Sequence, residues 1–377
     1  MDWLIEGGSA LMGGGFTDTP VAITDGVFAD HTAAHASRID AHGLYVLPGI
    51  VDIHGDAFEQ ALMPRPRVPI APEIALAAVD RQLIANGITT AFHGLTVSWE
   101  PGLRCLENAR AFVTALEAMR PHLAADTRLH LRWETFASEA MADVTGWLAS
   151  DPPPILAFND HTTMLFDSGV EADYVARKLD KMSARAGIPG AEYRALVEDR
   201  WAHRDQVPGA IAAMAAAART AGVTILGHDE TSPAMRAELR ALGAVTCEFP
   251  MTLETARAAR AAGEHVVLGA PNVVRGGSHN NTFDAASAVA EGLCTVLASD
   301  YYYPAPLLAA FRLAERGVAP LAAAWALVSG NAAEAAGLTD RGEIAQGRRA
   351  DLILVDNSGP LPRVVSVFVG GKRVYAA

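Results

Sequence analysis

Two hydrophobic rhythms run along this chain, and the switch between them marks its parts. In residues 1–46 short β-like pieces sit between glycines, as in LIEGGSALMGGG and VAITDGVFAD. There ITDG and DAHG place glycine where a turn needs positive φ. The same style returns in residues 342–377, in GEIAQGRRADLILVD and in VVSVFVGGKRVYAA, which alternates and turns at Gly370-Gly371. The two ends therefore read as one composite β-sandwich, split by residues 47–341. Within 47–341 apolar runs alternate with helix-like stretches. The runs are LPGIVDIH (47–54), GITTAFHG (87–94), RLHLRWETF (128–136), ILAFNDHT (155–162), VTILGHDE (223–230), AVTCEFP (244–250), HVVLGAPN (265–272) and TVLASDYY (295–302). Between the first two, PEIALAAVDRQLIANG carries Pro72 suited to a first helical turn and Gly87 suited to a C-terminal cap. Apolar strands alternating with helices imply parallel pairing with both faces covered. Eight such units predict an α/β fold, a (β/α)8 TIM barrel.

Composition narrows the setting. Half of the 377 residues are hydrophobic and 19% are charged, enough to build a large core and to exclude a disordered chain. The net charge of −13 repels phosphate backbones and anionic lipid, so neither nucleic acid nor membrane is an expected partner. Cys105, Cys247 and Cys294 are odd in number and contain no CxxC, which suggests neither a disulfide framework nor a thiolate zinc site. The opening MDWLIEGG has no basic region ahead of an apolar one, and no span-length apolar run follows; a cytoplasmic protein is expected.

The polar residues are more telling. In a barrel the strands' C-terminal ends carry function, and polar residues collect there. They are His54 and Asp56, His93, Glu134, Asn159 with Asp160 and His161, His228 with Asp229 and Glu230, Glu248, Asn272 and Asp300. Each has a plain structural alternative. HGD alone could cap a helix or form a turn, Glu134 could pair with Arg132, and His161 or His228 could be a core histidine. Together they are costly to bury unless ions or one another satisfy them. Alternation also puts His54 and Asp56 on one face. Imidazole and carboxylate donors suit Zn, Mn or Fe over Ca or Mg. Two divalent ions about 3.5–4 Å apart would activate water for attack. Only three of the 30 basic residues are lysines, Lys178 and Lys181 in a helix-like stretch and Lys372 in the C-terminal hairpin. A carboxylated lysine bridge is thereby excluded, leaving Glu134 as the bridging candidate.

These residues, in this order, resemble the amidohydrolase superfamily of metal-dependent hydrolases, and the flanking β pieces are similar to its split β-sandwich. Within it the chain looks like the PhnM-type diphosphatases of bacterial phosphonate catabolism, the carbon–phosphorus lyase pathway. The motifs are LPGIVDIHGD with Met63–Pro66, NDHT (159–162), GHDET (227–231), CEFPMTLETA (247–256), GAPNVVRGGSH (269–279) and LASDYYYPAPLL (297–308). The resemblance implies release of pyrophosphate from a ribose 1-alkylphosphonate 5-triphosphate, a small phosphorylated substrate. It implies a metal site of His54, Asp56, Glu134, His161, His228 and Asp300 with two ions, zinc first and Mn or Fe as alternatives, with Asp300 taking the proton from the attacking water. Arg65, Arg67, Arg275, Ser278 and His279 are the candidate phosphate-binding residues, since guanidinium groups bind phosphate bidentately. Such barrels are often homodimers. The family usually has HTD and then an asparagine where this chain has HGDAFEQ, and PGQRQ after NDHT where it has TMLFDSG. Two rival readings are a C–N hydrolase acting on a cyclic amide or nucleobase and a non-catalytic subunit of a phosphonate-degrading assembly.

Overall fold

A computed structural model describes residues 2–31, 35–166, 171–277 and 283–377. Eight parallel strands follow one another in sheet order: β1 (Ile50–Gly55), β2 (Ile88–Val97), β3 (Asp126–Glu134), β4 (Ile155–Asn159), β5 (Thr224–His228), β6 (Ala244–Glu248), β7 (His265–Gly269) and β8 (Val296–Ala298). The barrel is closed by backbone beyond β8. Asp300 N–H donates to His54 O at 2.8 Å, and Asp56 N–H donates to Asp300 O at 2.9 Å. Inside lie Val51, Ile53, Phe92, Ile155, Ala157, Leu226, Val267, Val296 and Ala298, the branched and small residues that fill such a barrel. The opposite parity of each strand packs against the helices in the larger core.

The eight predicted runs all form strands, with instructive differences at their ends. LPGIVDIH is shared between two sheets. Leu47 and Pro48 end a strand, Tyr45–Pro48, paired antiparallel with Leu352–Asp356, and β1 begins at Ile50. Gly49 makes the handover because a Cβ there would meet Thr89 Oγ1 at 2.2 Å. HVVLGAPN stops being strand at Gly269, because Pro271 has no N–H for a ladder and sits instead in the first turn of helix Ala270–Arg275. Pro72 opens helix Pro72–Ala85 as expected, and Gly87 follows it at φ 78°.

Both chain ends build two further sheets. One orders Lys372–Ala376, Arg363–Val369, Leu352–Asp356, Tyr45–Pro48, Ser9–Met12 and Gly15–Thr17; the other orders Val27–Ala29, Val21–Thr24, Trp3–Glu6 and Ser37–Asp40. A separate apolar cluster, with Ile5, Ile23, Phe28, Val46, Leu352 and Phe368, joins them. The indole N–H of Trp325 donates to Pro48 O at 3.0 Å and ties this sheet to the barrel. Among the described residues no helix is long and apolar enough to cross a membrane.

Candidate metal centre

β1 owes its function to a defect in its ladder. Asp52 pairs with Ala91 and Gly55 with His93, so Ile53 and His54 together stand opposite Phe92. This extra residue is a β-bulge, which re-aims side chains. Ile53 joins the interior cluster, and His54, its immediate neighbour, also faces inward against His228 and His130. Asp52 faces the other way and braces the seam, accepting from Ser299 N–H at 2.9 Å and Ser299 Oγ–H at 2.5 Å.

A small cavity of about 160 Å³ opens at the barrel mouth, with His54, Asp56, Arg132, His228, Asp229 and Asp300 among its walls. Three sets of side chains there could hold a metal ion, the ligand atoms of each lying within 4.8 Å of one another. One is His54, Asp56 and Asp300; the second is His161, His228 and Asp229; the third, deeper, is His54, His130 and Glu248. Glu248 gathers the imidazoles: its carboxylate lies 2.7 Å from His228 Nδ1, 2.9 Å from His54 Nδ1 and 3.6 Å from His130 Nε2. Burial opposes its charge, but His54 and His130 beside it hold the carboxyl well below its usual range. His54 Nδ1 and Glu248 Oε1 meet only each other, as an ion pair, and His130 Nε2 is buried without a hydrogen bond. A compact set of imidazole and carboxylate donors left partly unsatisfied fits a divalent ion.

Glu134 stands one step further out. It lies 2.5 Å from His161 Nδ1, while His161 Nε2 is 3.5 Å from Asp229 Oδ2. Against the cost of burial, Glu134 and Asp229 raise His161 to about 9; despite burial, His161 and then Arg132 lower Glu134 to about 2. Glu134 thus orients His161, as carboxylates behind a metal-binding histidine do. Asp300 shows the opposite shift. Burial, followed by the nearby Asp56 carboxylate, pushes it up to about 7.

Backbone geometry sets the mouth as well. Asp229, Phe249 and Asp300, the residues just past β5 and β6 and closing β8, have φ of 52°, 52° and 54°. Such left-handed conformations are unfavourable for non-glycine residues and collect at functional sites. Each still donates its N–H to the neighbouring strand, to Glu248 O, Val267 O and His54 O respectively. The ladder therefore continues while the chain turns its side chains across the opening.

Of the sequence-predicted residues, His54, Asp56, His228 and Asp300 line the cavity, and His161 joins through Asp229. Glu134 lies behind His161 and in none of the three sets. Arg65, Arg67 and Arg275 are exposed and outside the cavity lining; Arg67 donates to Gly187 O at 3.4 Å and Arg275 to Tyr301 Oη at 3.3 Å. Ser278 and His279 lie outside the described residues. Lys178 and Lys181 sit on helix Ala172–Ala186 and Lys372 in the last strand. Two strand-end residues have a structural role. His93 faces the helices between Phe58 and Phe112, and burial lowers it to about 4; Glu230 turns outward to Arg236 at 2.8 Å. The sequence reading gave no ligand role to His130, Asp229 or Glu248 and no site role to Arg132. Its available signal for two of these was parity, since His130 and Arg132 share the face of Glu134.

A family model described as the Amidohydrolase family matches residues 45–374. The chain belongs to this family. It is 32% identical to the alpha-D-ribose 1-methylphosphonate 5-triphosphate diphosphatase of Escherichia coli (strain K12), over 92% of this chain and 93% of that protein. The PhnM-like resemblance therefore spans nearly the whole chain. Solved structures share the fold at low identity. The dihydropyrimidinase from Brevibacillus agri NCHU1002 superimposes with a TM-score of 0.64 at 14% identity, covering all of this chain and 95% of that one. The beta-aspartyl dipeptidase from Fervidobacterium islandicum AW-1 does so at 0.64 and 17%, over all of this chain and 97% of that one.

Proposed function

We propose that this amidohydrolase is a divalent-metal-dependent diphosphatase that releases pyrophosphate from an alkylphosphonate ribose 5-triphosphate and leaves the 5-monophosphate. The observation that carries this reading is the 32% identity to a named diphosphatase over 92% of this chain, a span that includes every element of the metal centre. Zinc suits the mixed imidazole and carboxylate donors. His54, Asp56 and Asp300 would hold one ion, and His161, His228 and Asp229 the other. Such ions, when bound, lower the pKa of water and stabilise charge on phosphoryl oxygens.

The chain's own groups divide the remaining work. Attack of water on the α-phosphorus forms a P–O bond and breaks the bond to the bridging oxygen, which leaves with pyrophosphate. The water's proton goes to the Asp300 carboxylate, which stands in the cavity wall beside Asp56. Glu134 keeps His161 turned toward Asp229, and Glu248 keeps His54 and His228 in place.

Phosphorus NMR of metal-reconstituted protein with ribose 1-methylphosphonate 5-triphosphate tests this, with Asp300→Asn as the control. Pyrophosphate from the wild type alone supports the proposal. No release from metal-bearing protein overturns it and turns attention to C–N substrates such as cyclic amides. No release together with no stoichiometric metal favours the non-catalytic subunit.

A further inference from the structure

Among the described residues Arg132 is the one arginine or lysine lining the cavity, and its surroundings differ from those of the other buried arginines. Its side chain is only 6% exposed. One amino group, Nη2, lies 3.2 Å from His228 Nε2. The other, Nη1, is 3.5 Å from Asp56 Oδ2, an ion pair without a hydrogen bond, and both Nη1 and Nε are buried with no hydrogen-bond partner. Arg236, equally buried, instead donates to Glu230, Glu264, Thr246 O and Ala244 O. Position adds to the contrast. Through Asp56 the guanidinium touches the His54, Asp56 and Asp300 set, and through His228 it touches the His161, His228 and Asp229 set. Room for it comes from Gly94, across on β2, where a Cβ would stand 3.3 Å from Arg132 Cδ.

We infer that Arg132 is a substrate-binding residue, its unpartnered donors receiving an anionic oxygen of a polyphosphate held between the two candidate ion sets. This rests on the diphosphatase reading for the choice of anion. A planar guanidinium with two free N–H groups matches a phosphoryl oxygen pair, and a buried charged donor without an acceptor signals a missing ligand. The carboxylates of Asp56, Asp229 and Asp300 outnumber the guanidinium, so the cavity repels an anion until cations are bound. Anion binding at Arg132 is therefore metal-dependent.

The test is calorimetric titration of the zinc-loaded full-length protein with inorganic pyrophosphate, comparing wild type, Arg132→Gln and Arg132→Lys, with zinc content measured for each. One charge-assisted hydrogen bond corresponds to roughly ten- to hundred-fold in affinity. R132Q should bind pyrophosphate at least about ten-fold more weakly with its zinc retained, R132K should recover part of the loss, and the metal-free wild type should not bind. Equal affinity in R132Q overturns the inference, as does a loss that follows loss of zinc, or a zinc-loaded wild type that binds no pyrophosphate. Should R132Q not fold, Gly94→Ala decides: it presses a methyl group on Arg132 without removing its charge, and unchanged pyrophosphate affinity with zinc retained would overturn the inference. The two readings fail separately. A wild type that binds pyrophosphate through Arg132 but releases none from the triphosphate sinks the diphosphatase and leaves the oxyanion site. Turnover with an R132Q that binds pyrophosphate normally does the reverse.

Discussion

The two ends of the barrel bury charge in opposite ways. At the base, where β2 and β3 begin, Arg341 donates to Thr90 Oγ1 at 2.9 Å and to Asp126 at 2.5 Å, and it brackets Asp340 with two further bonds. Arg128 adds a second guanidinium to Asp126. At the mouth, His130 and Arg132 each keep a buried polar atom without a hydrogen bond, and Asn159 keeps both of its side-chain atoms so. Same fold, same burial, opposite satisfaction. Buried charges that are fully paired hold structure together, whereas buried groups left open are held for something that arrives later. The difference separates stability from chemistry along one barrel axis.

The comparison can be broken in four ways, the largest expected effect first. Asp300→Asn at the mouth should lower pyrophosphate release by about 10²- to 10⁴-fold, the usual range for a lost general base. Its denaturation midpoint should not fall, because the substitution removes one member of a crowded carboxylate pair. Arg341→Met at the base should do the converse. Breaking one side of a buried ion pair costs about 3–5 kcal/mol, read from urea unfolding, while the folded fraction should turn over at the wild-type rate. Stripping bound metal with a chelator should lower the melting temperature of the wild type, since a ligand at about 100 times its Kd stabilises by roughly 2.7 kcal/mol. The same treatment should leave the Arg341→Met penalty unchanged, because the two sites do not share partners.

The smallest effect concerns acid. Although burial opposes it, Arg128 and Arg341 hold the Asp126 carboxyl below its ordinary value. As pH falls, the unfolded chain therefore protonates at Asp126 first and the native chain resists. Asp126 contributes stability that is present above the unfolded pKa, near 3.8, and disappears as pH drops through the lower native one. Unfolding free energies of Asp126→Asn should fall less steeply below pH 4 than those of the wild type. Parallel acid limbs would show that the base carries no such linkage.

The sequence made some of this legible for a physical reason. Strands buried on both faces must be apolar throughout, so eight runs bounded by glycine and proline stood out, and polar residues at their ends marked His54, Asp56, His228 and Asp300. Parity carried part of the rest. His130 and Arg132 sit four and two residues before Glu134 on the same face, and His93 takes the outward parity beside inward Phe92. The bulge at Ile53–His54 was not legible, because an unpaired residue is defined by its partner strand. The grouping of Glu248 with three histidines was equally hidden, being set by register between strands far apart in sequence. Arg65, Arg67 and Arg275 are exposed and outside the cavity lining, a placement that charge within a motif does not by itself determine.

The seam between β1 and β8 has a consequence for synthesis. His54 emerges early from the ribosome, but the backbone that closes the barrel at His54 and Asp56 belongs to Asp300, so a chain interrupted anywhere before that residue carries an open cylinder without the third member of the His54, Asp56 and Asp300 set. Completion of that set waits for the last strand, so the same few atoms that close the fold also finish its mouth.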